Sequence, residues 1–108
     1  MKYRLVLTEQ ADSDLRGIYE YIAFSLLEPG YAAGQLDRLE EKILKLAEMP
    51  KKFRLYEKEP WHSRGLHQMP VDNFIVFYIP KEEDGIVTVI RIMFNGRDID
   101  KQLRKTTV

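Results

Sequence analysis

At 108 residues the chain is the length of one domain, and 44% hydrophobic residues are enough to give that domain a single real core. Its 17 basic and 17 acidic residues cancel, which disfavours a general nucleic-acid binder, although a local basic patch stays open. With no cysteine, disulfide frameworks and thiolate chemistry are excluded, and no apolar run approaches the roughly 20 residues of a membrane span.

Lys2 to Leu7 reads as a short strand in which Tyr3, Leu5 and Leu7 alternate with Lys2, Arg4 and Val6. Its apolar stretch is too short for a signal peptide and no cleavage-like small residues follow it, so a cytoplasmic location is expected. Thr8 suits a helix N-cap, and Glu9 places an acid where the macrodipole favours it. Ala11, Leu15, Ile18, Ile22 and Leu26 then form one stripe of an amphipathic helix, which Glu28-Pro29-Gly30 is expected to break. A second helix is predicted from about Tyr31 to Met49, with Leu36, Leu39, Ile43 and Leu46 inward and Pro50 as its stop. The short connection makes the two helices antiparallel neighbours.

Phe53-Arg54-Leu55-Tyr56 has the pattern of a short strand, and Glu57 to Gly65 that of a loop. Leu66 to Val71 is a further strand that Pro70 limits to an edge, an end or a bulge. Phe74 to Ile79 is apolar on both faces and should be central; Pro80 to Gly85 turns the chain into a last long strand, Ile86 to Phe94. From Asp98 the chain reads as a short polar helix or a frayed tail. The order is α+β: an N-terminal strand, a helix hairpin, then a small antiparallel sheet covered on one face by the hairpin. Strict alternation places Ile86, Thr88, Ile90, Ile92 and Phe94 on the core side and Val87, Val89, Arg91 and Met93 on a mixed outer face. The predicted core is Leu15, Ile18, Ile22, Leu39, Ile43, Leu46, Ile90 and Ile92. An arginine inside a strand resists unpaired burial, so Arg91 marks a face that meets something polar.

Taken together these pieces resemble the RelE/ParE superfamily of bacterial type II toxins. The resemblance spans nearly the whole chain, 1–108. It runs through Thr8, Ala11, Asp14-Leu15 and Tyr21-Ile22, then Leu46-Ala47-Glu48-Met49-Pro50 and Arg64-Gly65-Leu66. It ends in Asn73 to Tyr78, Ile90-Arg91-Ile92 and Arg97-Asp98-Ile99. The resemblance implies a toxin neutralised by a cognate antitoxin, part of which is disordered until it binds. It also implies one of two targets. ParE-like members poison DNA gyrase by binding, whereas RelE-like members cut mRNA on the ribosome with a basic cluster and a C-terminal tyrosine or histidine. Here Phe74 stands where the nuclease type has an arginine, and Asp98 to Val108 contains neither tyrosine nor histidine. The ParE-like reading is therefore preferred, with the ribosome-dependent endonuclease, or a degenerate member that only binds antitoxin, as alternatives.

Cleavage through the ribose 2′-OH needs a proton acceptor, a cation for the developing charge and a donor for the leaving oxygen. Arg91, Arg97, Lys51, Lys52 and Tyr78 are the candidates if the protein is a nuclease. Partner binding is assigned to Arg64, Val87, Val89, Arg91, Met93 and Arg97. Each has a plainer alternative. Arg91 can pair with Asp72 or a glutamate across the sheet, Asp98 can cap the last helix, and Lys51 to Arg54 can be solvated charge after a helix end. Trp61 suits a loop anchor better than a stacking platform. His62 and His67, without a third ligand, do not make a metal site, and no cofactor is expected.

Overall fold

Thr8 joins the two layers of the molecule at the first turn. In the computed structural model, which describes residues 2–96 and 98–106, β1 (Arg4–Leu7) runs directly into α1 (Glu9–Glu20). The Thr8 hydroxyl accepts from the Ala11 N–H at 3.0 Å and donates to the Ile90 carbonyl at 2.8 Å. One side chain thus caps the helix and ties it to a distant strand.

α1 continues into a single π-helical turn, Tyr21–Ser25, in which the Leu26 N–H reaches the Tyr21 carbonyl at 3.0 Å. The wider turn rotates everything after it. Ile22 and Ala23 are consequently both buried, while Leu26, expected on the inward stripe, is exposed. The helical run is interrupted at 26–28 as expected, and Pro29 also opens the next helix: α2 spans Pro29–Lys45, with the proline in the first turn where its missing N–H costs nothing. Among the described residues no helix is long and apolar enough to cross a membrane.

β2 (His67–Val71), β3 (Phe74–Lys81) and β4 (Ile86–Phe94) form an antiparallel meander, and β1 joins it in the order β1-β4-β3-β2. The β1–β4 pair is parallel, Arg4 opposite Ile86 and Leu7 opposite Val89. The sheet is therefore not wholly antiparallel, because the helix hairpin carries the chain back between these strands. Phe53–Tyr56 supplies only a single bridge, Leu55 to His67, instead of a strand.

The expected alternation along β4 fails at one residue. Phe77 faces Arg91 and Tyr78 faces Val89, which leaves Ile90 as the extra residue of a β-bulge. Val87, Val89 and Ile92 pack with Phe74, Val76 and Tyr78 against Leu39, Ile43 and Leu46 of the hairpin side. Leu15 and Ile18 lie partly buried against that cluster. Ile90 and Met93 point the other way, with Ile75, Phe77 and Ile79. That second face is not open. Tyr56, Trp61 and Leu66 of the 53–66 loop cover it together with Leu103 of α3 (Ile99–Arg104). A strand as apolar on both sides as Phe74–Ile79 requires such a double covering.

Candidate functional site

β1 ends at Leu7, so beyond Val89 the edge of β4 lacks a strand partner and α1 runs along it instead. Asp14 lies between Ala11 and Ile18 on the inward side of α1. Its Oδ2 accepts from the Ile92 N–H at 2.9 Å, replacing the missing ladder bond. The same oxygen accepts from Arg91 Nε at 2.7 Å, and Oδ1 accepts from Nη2 at 3.0 Å. Arg91 Nη1 is taken up by Thr106 Oγ1 at 3.1 Å and the Gln102 carbonyl at 3.4 Å. This is a bidentate ion pair whose side chains are only 13% and 16% exposed. The polar group that Arg91 requires is supplied from within the chain. The partner is neither Asp72 nor a glutamate across the sheet.

Asp72 is bound elsewhere. Arg38 Nε donates to it at 2.8 Å and the buried Gln35 Nε2 at 3.0 Å, and both hold its carboxyl below the usual range. This contact fastens the β2–β3 turn to α2.

The remaining nuclease candidates do not converge on Arg91. Lys51 pairs with Glu82 beside the β3–β4 turn, and Lys52 sits over the Phe53 ring at 5.6 Å. At ~3.3 Å per strand residue, that turn lies roughly 15 Å from Arg91 along β4. Tyr78 shares the helix-side face with Phe74 and Val76, whereas Arg91 is in register with Phe77 on the other. The Tyr78 ring is fully buried and stacks on His67 at 5.3 Å. Burial pushes its hydroxyl up to about 12, and with only the Phe53 backbone near it the group makes no hydrogen bond of ordinary geometry. Such a group is a poor proton donor near neutrality and a cost to folding. Tyr78→Phe should raise stability by about 1 kcal/mol, because an unpaired buried hydroxyl is removed at constant shape. A fall in the urea midpoint would show that the hydroxyl is satisfied in solution.

Partner-binding expectations divide similarly. Val87 and Val89 are 0% exposed inside the helix-side core and present no surface, because the bulge reverses the alternation on which they were placed outside. Met93 is 6% exposed and lines a groove described below. Arg64 is exposed, its guanidinium 5.0 Å from the centre of the buried Trp61 ring, which makes Trp61 an anchor. Arg97 lies outside the described residues. Asp98 Oδ1 accepts from the Lys101 N–H at 3.4 Å and caps α3. His62 and His67 each turn Nδ1 to a backbone carbonyl, those of Tyr56 and Gly65, at 2.9 Å. No cluster of metal-ligating side chains occurs among the described residues.

Sequence reasoning missed a polar fastening on the outer face. Asp100 accepts from the Tyr56 hydroxyl and pairs closely with Lys58, so α3 is fastened to the loop across the sheet's outer face. Lys58 first and Tyr56 second lower the Asp100 carboxyl, while burial and then Asp100 push the Tyr56 hydroxyl far above its ordinary value. A groove of about 580 Å³ lies at the connected end of the hairpin, where the π turn and residues 26–28 join α1 to α2. Tyr21, Leu26, Tyr31 and Phe94 wall it, Gly17 flattens one side, and Asp14 with Arg91 lies in its floor. Beside it Phe24 and Leu27 are also exposed. Leu27, 78% exposed, holds a left-handed φ of 57°, strained for a bulky residue and sustained by the Glu28 N–H to Ile22 carbonyl bond at 3.0 Å. Contiguous apolar surface of this kind marks an interaction site.

The family model for the ParE toxin of type II toxin–antitoxin systems matches residues 5–99. A comparison with curated proteins finds no match. Among solved structures, the chromosomal ParDE system of P. aeruginosa superposes with a TM-score of 0.71 at 20% identity, covering 87% of this chain and 97% of that one. An E. coli RelE toxin variant in the free state gives 0.67 at 14% identity, over 97% and 98% of the two chains. The archaeal RelE–RelB complex from Pyrococcus horikoshii gives 0.62 at 17%, over 90% and 99%. At these identities the structures speak to fold, and the fold is the same.

Proposed function

Because this chain belongs to the ParE toxins of type II toxin–antitoxin systems, we propose that it acts in the cytoplasm by binding DNA gyrase, without chemistry of its own, and is held inactive by a cognate antitoxin. The observation that carries this reading is the Asp14–Arg91 pair. Arg91 of β4 is spent on an internal carboxylate and is not aimed at a substrate phosphate. A site without a preorganised cation loses about 100- to 1000-fold in rate, and one without a positioned proton-transfer group another 100-fold or more. Binding needs neither. The groove walled by Tyr21, Leu26, Tyr31 and Phe94, with Met93 and Arg91 at its base, suits an amphipathic antitoxin segment that folds as it docks.

Purified toxin should inhibit gyrase supercoiling, antitoxin should relieve the inhibition, and translating ribosomes should show no codon-positioned mRNA cleavage. Robust cleavage with gyrase untouched would overturn the reading. It would assign Arg97 and a lysine a catalytic role.

A further inference from the structure

The balanced formal charge hides a strong separation. From Thr8 to Pro50, the helix-hairpin side, acidic residues outnumber basic ones nine to four. In the two segments that include the cover of the opposite face, 51–67 and 98–106, basic residues outnumber acidic ones eight to four. Three of those four acids are already engaged, Glu59 by the N–H and hydroxyl of Ser63. Asp98 caps α3, and Asp100 is shared between Tyr56 and Lys58.

The free positive charge is organised. Ile99 and Leu103 form the inward stripe of α3, and Leu103 is 0% exposed. Lys101, Arg104 and Lys105, spaced by three and four, therefore share the outward side and are all exposed. Beside them the loop presents Arg64, its planar guanidinium held on Trp61 with its donors available. The apolar groove lies at the hairpin's connected end and includes none of these four cations.

We propose that this basic outer layer contacts the phosphate backbone of duplex DNA, so that the toxin engages gyrase together with the DNA gyrase holds. The inference rests on the gyrase reading and deepens it. Zero net charge makes independent DNA binding weak. The separation of charge turns the basic side toward a polyanion and the acidic hairpin away from it. A contact of this design counts most once the toxin is already held beside DNA by a protein partner.

The test compares the intact chain with a variant carrying Lys101→Gln, Arg104→Gln and Lys105→Gln, changes that keep helix propensity and touch no buried group. Anisotropy of a labelled random-sequence duplex is followed against salt. Each phosphate contact contributes about −0.9 to the slope of log affinity on log salt, so the variant should be shallower by about 2 to 3. In supercoiling assays its half-inhibitory concentration should rise about tenfold or more, while its affinity for DNA-free gyrase and for antitoxin stays unchanged. An unchanged salt slope overturns the proposal. So does tighter binding of single-stranded RNA than of duplex, or an equal loss of antitoxin affinity, which would make the layer an acidic-peptide surface. If the intact chain binds duplex as described but leaves gyrase uninhibited, the target reading fails and the DNA-binding layer stands.

Discussion

Asp14→Ala and Arg91→Ala should each lower stability by about 3–5 kcal/mol, because either change strands a nearly buried charge. For a domain near 100 residues this corresponds to a melting temperature lower by roughly 12–30 °C. The two losses should not be equal in kind. Asp14→Ala also orphans the Ile92 N–H at the edge of β4, whereas Arg91→Ala leaves that bond in place. The double variant should cost much less than the sum, since the partner that makes each single change expensive is gone. Thermal melts of the three variants measure this directly. Additive losses would mean that the pair is not coupled and that Arg91 remains free for other work.

That pair also shows where sequence reasoning stopped short. A carboxylate set among Ala11, Leu15 and Ile18 breaks the apolar stripe of α1, just as Arg91 breaks the apolar run of β4. Two opposite charges, each misplaced on a buried side, are a matched signal. Matching them requires knowing that α1 runs along β4. That follows only from the parallel pairing of β1 with β4, whose partners are some 80 residues apart and have no local signature.

Local order was legible: the Thr8 cap, both long helices, the central strand Phe74–Ile79 and the final strand follow from capping, periodicity and apolar runs. The places that misled are those where one residue is inserted into a regular period. The π turn moved Leu26 from the core to the surface, and the bulge at Ile90 moved Val87 and Val89 from surface to core. Neither insertion has a composition of its own. Both sit beside the groove or its floor, where departures from regular structure concentrate in functional surfaces.

The bulge leads to a second large expected effect. Leu39→Ala and Ile90→Ala should each cost about 2–5 kcal/mol, since both side chains are almost wholly buried and neither site can collapse without moving a sheet or a helix. Had strict alternation held, the two would share one core and their effects would couple. They lie instead in separate clusters on opposite faces of the sheet. Their double variant should therefore be additive within about 0.5 kcal/mol. Ile90→Ala combined with Leu103→Ala enlarges a single cavity beneath α3 and should depart from additivity by about 0.5–3 kcal/mol. Urea titrations of the three single and two double variants decide it. Coupling between Leu39 and Ile90, with none between Ile90 and Leu103, would put Ile90 back on the hairpin side and remove the bulge.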